Sequence, residues 1–329
     1  MVRSRSQCGR GIGNLRHVSE WSESQRPGAS SKHAIGRKLN PLIEGNIWHM
    51  RGAHDMHRRA IVPARVNIIG EHVDNHGGIS LPFATGESLV MDAIQRNEGY
   101  SGDEQVIRLW KEAGGWPADL AVNSRIPIGK GMSSSAALCV AIVLCARGVN
   151  EGIETCREAR RIERVVLEND CGLLDQIAMI FSTKGHAVLV DFSDLSMEQI
   201  PLPASWIFKL VDSGISRTLS STDYGKSGSY SKEHVTNEVR RVLESKGASA
   251  EDLGQLLNES HSSLISLGVS LTEIDCMVDD LQRMDGVLGA RMMGGGFGGM
   301  ILVLVKNEDV LPSIPVVVSS DSARLEEVL

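Results

Sequence analysis

Aromatic residues are scarce in this chain of 329 residues, where tryptophan, tyrosine and phenylalanine together make up 4% of the sequence. A surface of stacked aromatic rings for single-stranded nucleic acid is therefore not expected. Long apolar runs are also missing, because the longest covers residues 136–146, whereas a membrane-spanning helix needs about 18 or more apolar residues. This run predicts a buried helix. We therefore expect neither nucleic-acid nor membrane partners.

The cysteines lack the spacings of redox and metal motifs. None of the six belongs to a C-x-x-C pair or to a Cys/His cluster with zinc spacing. No apolar segment near the N-terminus has the form of a secretion signal. We therefore expect reduced thiols and a cytoplasmic protein, long enough for two domains that share a cleft.

Charge is divided unevenly along the chain. Residues 1–59 carry eleven Lys/Arg and four Asp/Glu, which leaves a net charge of −14 for residues 60–329. An acidic body argues against a nucleic-acid surface. The basic extension at residues 1–59 has no sustained apolar periodicity and is predicted to be disordered. A targeting function for it and a start codon assigned upstream of Met56 are open alternatives.

Strand-like and helix-like stretches alternate after residue 60. Pro201 and Pro203 mark a predicted boundary between an N-terminal lobe at residues 60–203 and a C-terminal lobe at residues 204–329. We predict strands over residues 60–69, 120–126, 187–192, 206–211, 300–305 and 316–319, and helices over residues 153–167, 232–245, 251–267 and 271–284.

A stretch rich in glycine and serine, P-I-G-K-G-M-S-S-S-A-A at residues 127–137, leads into the apolar helix. Glycine lets backbone N–H groups approach an anion, and a helix N-terminus attracts phosphate. The stretch lacks the spacing of a Walker A motif. A tight strand-to-helix turn with ordinary caps is the alternative, but a single serine would suffice as a cap. The sequence therefore predicts a phosphate site here.

A second glycine-rich stretch, R-M-M-G-G-G-F-G-G at residues 291–299, contains the pattern G-x-G-x-x-G at Gly294, Gly296 and Gly299. A dinucleotide-binding fold needs a helix after this pattern, whereas residues 300–305 are predicted to form a strand. The dinucleotide interpretation therefore fails. A protein-kinase interpretation fails as well, because the V-A-I-K, H-R-D and D-F-G motifs are absent in the required order.

A third stretch, A-R-V-N-I-I-G-E-H-V-D, lies at residues 64–74. The three stretches together resemble the three motifs of the GHMP small-molecule kinases. The stretch at residues 64–74 resembles the galactokinase branch in particular. Two further parts of the sequence support the resemblance. They are C-G-L-L-D-Q at residues 171–176, and N-E-S-H at residues 258–261 followed by E-I-D at residues 273–275. The resemblance implies the α+β, two-lobed GHMP kinase fold. The N-terminal lobe would be of the ribosomal-protein-S5-like type and the C-terminal lobe ferredoxin-like, with ATP and sugar in the cleft between them.

The resemblance also implies catalytic and ATP-binding residues. Asp175 matches the catalytic aspartate that faces the anomeric hydroxyl, and Arg65 matches the arginine beside it. A solvated acid at a helix end is the alternative for Asp175. Phosphoryl transfer needs positioning and charge neutralisation, so Asp175 would orient the hydroxyl more than deprotonate it. The ATP-binding positions implied are Gly129, Gly131, Ser133, Ser134, Ser135 and Ala136.

Metal and sugar ligands follow from the same resemblance. Magnesium prefers oxygen ligands and commonly takes only one or two from protein; the implied ligands are Ser135 and Glu163. Glu163 would alternatively lie on a solvated helix face. The implied sugar-binding residues are Glu71, His72, Asp74, Gly172 and Tyr224.

The chain departs from the family pattern at several places. The segment at residues 83–126 is shorter than is usual in the family, and the asparagine and paired arginines expected after Tyr224 are replaced. Within the first motif, the departures are Ala64, Val73, Asn75 and His76. None of them removes an implied hydroxyl-binding group, but they bear on which sugar is bound.

Two classes of function are compatible with these motifs. The first is an ATP-dependent sugar 1-kinase, with galactose expected first and L-arabinose or galacturonate as alternatives. The second is a catalytically silent regulator that binds sugar and ATP. Such regulators can lose residues directly after the triple serine, whereas Ala136 and Ala137 are present here. The sequence therefore favours the enzyme.

Overall fold

The computed structural model of the chain describes residues 56–149, 151–215 and 231–328. Strands and helices alternate through these ranges, and a short 3-10 helix covers Asp74–His76. The strands are β1 (His57–Asn67), β2 (Ile79–Ser80), β3 (Pro82–Gln95), β4 (Ala118–Ser124), β5 (His186–Asp191), β6 (Ser196–Pro201), β7 (Ile207–Asp212), β8 (Val287–Met292), β9 (Met300–Val305) and β10 (Arg324–Glu327). The helices are α1 (Glu104–Glu112), α2 (Ser134–Arg147), α3 (Gly152–Leu167), α4 (Leu174–Phe181), α5 (Lys232–Ser245), α6 (Ala250–Leu267) and α7 (Thr272–Gln282).

The strands form three antiparallel sheets, with the orders β10-β1-β3-β4, β2-β5-β6 and β7-β9-β8. The β1–β3 pairing shifts register between Pro63 and Arg65, which fits a proline that has no backbone N–H to donate. On its other side β1 pairs with β10, where Arg58 lies opposite Glu327. The last strand described therefore completes the sheet that the first one begins.

Helix α2 lies in the main hydrophobic core. All residues from Ala136 to Ala146 are buried except Leu138, which is partly buried, and the helix packs against α3, β1 and β3. This burial confirms the prediction from the apolar run. A second core lies between α7, β8 and β9 and includes Val278, Ala290 and Ile301.

Most predicted elements are present with shifted ends, and α5 and β9 have the predicted bounds. The predicted strand at residues 316–319 is wrong, because Val316 and Ser319 make only isolated bridges. The elements that were not predicted are β2, β3, β6, β8, β10, α1 and α4. The basic N-terminal extension was predicted to end at residue 59, but β1 already begins at His57. Residues 1–55 lie outside the described ranges. The lobe boundary after residue 203 stays a prediction.

Cys139, Cys145, Cys156 and Cys171 are free, whereas Cys276 is disulfide-bonded. The expectation of reduced thiols is therefore wrong for Cys276. In the described ranges, no single helix is long and apolar enough to cross a membrane. The pair α2 and α3 passes that test only when taken together, across a bend of 117°.

Candidate active site

The three predicted motifs converge on one cleft, with an empty volume of about 790 Å³. Residues 64–74, 127–137 and 291–299 contribute to its walls, as does the segment that begins α4. The residues that line it are Arg65, Glu71, His72, Asp74, Gly129, Gly131, Ser133, Ser134, Ser135, Asn169, Cys171, Gly172, Leu174, Asp175, Gly294 and Gly295.

The glycine–serine stretch forms the turn between β4 and α2. Gly129 and Gly131 have φ angles of 71° and 78°, and Ser133 has a φ of 61°, in the left-handed region that favours glycine. Helix α2 begins at Ser134, and Ser133 at its N-cap makes no side-chain capping bond. The serines therefore mark the helix start as predicted without capping it. The first turn of α2 presents backbone N–H groups at the cleft, which suits an anion.

Lys130 holds this turn against the third sheet. Its ammonium donates to Asp212 Oδ1 at the end of β7 at 2.8 Å, and its carbonyl accepts a hydrogen bond of 2.9 Å from the Met300 N–H. Gly299 is required beside it, because a Cβ there would lie 2.7 Å from the Lys130 oxygen. The glycine-rich stretch at residues 291–299 thus supports the turn from behind.

Arg65 links two walls of the cleft. Its Nε donates to Asp175 Oδ1 at 2.7 Å, and its Nη1 donates to the Gly131 carbonyl at 2.6 Å. The arginine is only 4% exposed, while the Asp175 side chain is 25% exposed. Asp175 lies in the first turn of α4, but its pairing with Arg65 and its partial burial exclude a fully solvated acid. A single guanidinium connects the carboxylate to the glycine turn.

Glu163 lies on the buried side of α3, with 1% of its surface exposed. Its carboxylate accepts hydrogen bonds from Ser135 Oγ at 2.8 Å, from Asn169 Nδ2 at 2.8 Å and from Gln176 Nε2 at 2.9 Å. Burial raises the pKa of this carboxyl, which the hydrogen bond from Ser135 opposes. The alternative of a solvated Glu163 is therefore wrong.

Glu71 is also buried, at 4% exposure. Its Oε1 accepts a hydrogen bond of 2.8 Å from the Gly294 N–H and one of 3.2 Å from Arg291 Nη2. Burial by itself would raise the pKa of Glu71, but the charges of Arg291 and Arg65 and the hydrogen bond from Gly294 lower it to about 2. Glu71 is therefore ionised and fixed against the third motif.

Asp74 faces Gly172 across the cleft. A Cβ at residue 172 would collide with the Asp74 carboxylate, so a larger residue there would displace that side chain. Asp74 Oδ2 accepts a hydrogen bond of 3.3 Å from the Leu174 N–H. Burial and the nearby charge of Asp175 raise the pKa of Asp74 to about 6.

The other predicted residues have different placements. His72 lines the cleft with a φ of 58°, an uncommon angle for a residue other than glycine. Ala136 is fully buried in α2 and does not line the cleft, and Tyr224 lies outside the described residues. The assigned roles of all these residues stay predictions.

The prediction missed Arg291, which is fully buried. Its guanidinium donates to the carbonyls of Ile68 at 2.7 Å, Asn67 at 2.5 Å and Met292 at 2.9 Å, besides its contact with Glu71. Its place beside the third glycine stretch was the available signal. Asn169 and Gln176 were also missed, although both contact Glu163.

The arrangement suits one kind of chemistry. An anion at the start of α2 would lie near Arg65, whose guanidinium contacts both Gly131 and Asp175. The acids Glu71, Asp74 and Asp175 line the same cleft. Positioned charges of this kind stabilise the transfer of a phosphoryl group to a hydroxyl.

Family models match three parts of the chain. They are "GHMP kinases N terminal domain" at residues 104–183, "GHMP kinases C terminal" at residues 242–317 and "Galactokinase galactose-binding signature" at residues 53–92.

Curated relatives and solved structures agree with these matches. The galactokinase of Thermotoga maritima is 34% identical over 74% of this chain and 88% of that protein, and the one of Roseiflexus sp. is 30% identical over 78% and 86%. The crystal structure of Lactococcus lactis galactokinase complexed with galactose superposes with a TM-score of 0.72 at 22% identity, covering 82% of this chain and 95% of that one. Methanococcus jannaschii mevalonate kinase gives a TM-score of 0.61 at 16% identity, covering 84% and 98%, so the fold is that of the GHMP kinases.

Proposed function

Since the chain belongs to the galactokinase family of the GHMP kinases, we propose that it transfers the γ-phosphoryl group of ATP to the anomeric hydroxyl of galactose. Membership of this family makes it a sugar kinase, and the family implies the use of ATP. We also propose a cytoplasmic location. The free thiols of Cys139 and Cys145 fit a reducing compartment, whereas the disulfide at Cys276 does not.

One observation carries the proposal: Arg65 donates to both Asp175 and the Gly131 carbonyl. The carboxylate belongs to the side of the cleft that would bind the acceptor, and Gly131 belongs to the turn that would bind phosphate. One buried side chain, that of Arg65, would therefore hold the acceptor hydroxyl and the phosphate close to each other. Such positioning supplies much of the rate in phosphoryl transfer.

The acceptor hydroxyl would donate a hydrogen bond to Asp175 as its oxygen attacks the γ-phosphorus. A new O–P bond forms, the bond from the γ-phosphorus to the ADP oxygen breaks, and the hydroxyl proton leaves toward the Asp175 carboxylate. Arg65 would stabilise negative charge both on Asp175 and on the phosphoryl group. The N–H groups at the start of α2 would bind the phosphates of ATP.

The residues around Ser135 fit a magnesium ion. The hydroxyl and the Glu163 carboxylate are hard oxygen donors in contact at 2.8 Å. In the described part of the chain no group of three or more His, Cys, Asp or Glu residues could hold a metal ion. Ser135 and Glu163 would hold the ion, and when bound it supplies positive charge against the phosphates.

Replacing Glu163 by glutamine is expected to raise the magnesium concentration for half-maximal rate by about tenfold, because a neutral amide is a weaker partner for a hard cation. The measurement is a magnesium titration of the initial rate at saturating sugar, with direct magnesium binding by calorimetry in the presence of ADP. Glu154→Gln is the control, because Glu154 lies on the same helix with 55% of its side chain exposed. An unchanged titration curve would contradict the assignment.

The proposed hydroxyl-binding role of Asp74 predicts a pH dependence. Its pKa of about 6 means that the carboxylate becomes protonated as the pH falls through that value, and a protonated acid accepts hydrogen bonds from sugar hydroxyls less well. We expect kcat/KM for the sugar to fall below pH 6, since this ratio follows ionisations of the free enzyme. Glu71, with its pKa of about 2, does not titrate in that range.

The check is a pH profile of kcat/KM between pH 5 and 8 for the wild type and for Asp74→Asn. The variant should be weaker throughout and lack the inflection near pH 6. An inflection that persists in the variant would show that another group titrates.

The function itself is tested by incubating the protein with ATP, magnesium and galactose and identifying the product by phosphorus NMR. A sugar phosphate with phosphorus on the anomeric oxygen, formed in step with ADP, is expected. ADP release that no monosaccharide stimulates would contradict the proposal and favour a sugar-binding regulator.

A further inference from the structure

The backbone of residues 67–71, which begins the proposed sugar site, is held by charged and polar side chains from distant parts of the chain. Arg291 donates to the carbonyls of Asn67 and Ile68. Two further contacts, to the Gly70 N–H and the Glu71 carbonyl, come from helix α5. These α5 side chains take no part in the proposed phosphoryl transfer.

Glu238 on α5 is fully buried. Its Oε2 accepts a hydrogen bond of 3.0 Å from the Gly70 N–H and one of 3.2 Å from Ser260 Oγ. Its Oε1 accepts bonds from Arg241 at 3.0 and 2.7 Å. A buried carboxylate is costly unless it is paired, and here the pairing fixes its position against the sugar-site backbone.

His234 makes the second contact, one turn before Glu238. Its Nε2 lies 2.9 Å from the Glu71 carbonyl, and its Nδ1 lies 2.8 Å from Ser263 Oγ on α6. Because a carbonyl only accepts, Nε2 carries a proton and donates to the Glu71 carbonyl. The ring is 4% exposed, so its orientation is set by these two bonds.

The peptide between these contacts is closely confined. Gly70 has a φ of 90°, and a Cβ at this position would lie 2.3 Å from the Ile79 carbonyl. Ser80 Oγ donates to the Gly70 carbonyl at 2.6 Å. Glu71 follows directly, and its carboxylate lines the cleft. A change in the 70–71 backbone would therefore move the first acid of the proposed sugar site.

We propose that His234 and Glu238 are positioning residues for sugar binding: they fix the backbone of Gly70 and Glu71 and thereby set the affinity for the sugar without touching it. This inference rests on the proposed function. The proposal distinguishes sugar binding from ATP binding, because the glycine turn that would bind ATP is held by other residues, Arg65, Asp212 and Met300.

Two substitutions at each position test the proposal. His234→Leu removes the donor to Glu71, whereas His234→Gln keeps an N–H group near the position of Nε2. Glu238→Gln puts an amide donor in place of one carboxylate oxygen. Either Arg241 then loses its acceptor, or the Gly70 N–H and Ser260 Oγ lose theirs. Glu244→Gln is the matched control on the same helix, because Glu244 is exposed and contacts only Arg240 among the hydrogen bonds described.

We expect His234→Leu and Glu238→Gln to raise the KM and the dissociation constant for galactose by about tenfold or more, as for the loss of a buried hydrogen bond. KM for ATP should change less than twofold, His234→Gln should recover most of the galactose affinity, and Glu244→Gln should match the wild type. Galactose binding is measured by calorimetry and both KM values by steady-state kinetics. Exchange of the Gly70 amide hydrogen should become faster in Glu238→Gln.

Galactose affinity unchanged in both His234→Leu and Glu238→Gln would overturn the proposal. Equal increases in the KM values for galactose and ATP would also overturn it, because they would indicate that the substitution loosens the whole fold. If Glu238→Gln does not fold, the comparison of His234→Leu with His234→Gln decides. A wild type that neither binds nor phosphorylates galactose contradicts the proposed function, whereas an active wild type with unaffected variants contradicts only the positioning role.

Discussion

Replacing Asp175 by asparagine is expected to lower kcat by about 10³-fold, within the range attributed to a positioned proton acceptor. The substitution keeps the size of the side chain and an oxygen that Arg65 Nε can contact, but it removes the charge that would orient the hydroxyl and accept its proton. The side chain is 25% exposed at the start of α4, so the fold should survive. ATP affinity should change little, because the glycine turn keeps its contact with Arg65.

The measurement is kcat at saturating galactose and ATP, together with ATP binding by calorimetry. Asp170→Asn is a suitable control, because this nearby aspartate has 64% of its side chain exposed and contacts Arg164. A variant of Asp175 that keeps a third of the wild-type kcat would contradict the catalytic assignment. Loss of ATP binding would instead indicate that the substitution disturbs the phosphate side.

Galactose is expected to exceed glucose in kcat/KM by about 10³-fold or more, because a site built to hydrogen-bond a hydroxyl rejects an epimer that leaves its buried groups unpaired. Glu71 is buried and ionised, and the Asp74 carboxylate lies directly against Gly172. An axial 4-hydroxyl bound by these acids would be lost when glucose presents an equatorial one.

The decisive comparison is kcat/KM for galactose, glucose, L-arabinose and galacturonate at fixed ATP and magnesium. Arabinose lacks the exocyclic CH₂OH, and Asn75 and His76 depart from the family pattern, so we expect only a modest preference over it. Galacturonate should be poor, because its carboxylate would face the like charges of Glu71 and Asp74. If galactose is not phosphorylated but another sugar is, the assignment of galactose as substrate is wrong, whereas the assignment as a sugar kinase stands.

Much of the site could be predicted because its chemistry resides in short, contiguous motifs. Glycines beside a helix start indicate an anion site, whatever lies around them. The resemblance supplied the pairing of Arg65 with Asp175, which lie 110 positions apart. Sequence spacing alone does not reveal such a contact.

The positioning residues could not be predicted for a physical reason. Helix α5 is rich in charged residues, and His234, Glu238 and Arg241 alternate with exposed ones, so the pattern resembles a solvated surface. Only the tertiary fold shows that all three are buried. Similarly, Glu87 and Asp92 interrupt the apolar pattern of β3, although the strand runs unbroken from Pro82 to Gln95.

The pairing of β10 with β1 has a consequence for synthesis on the ribosome. Strand β1 can meet β3 early, but residues 324–327 are translated some 260 residues later, and only then does β1 gain its second neighbour. Until that moment β1 is an edge strand with unpaired backbone groups, which favours association between nascent chains. Basic side chains at Arg58 and Arg59 lie on this edge, and charges of this kind oppose such pairing. Completion of the sheet therefore waits until residues 324–327 have been synthesised, and these arginines would protect the exposed edge during that interval.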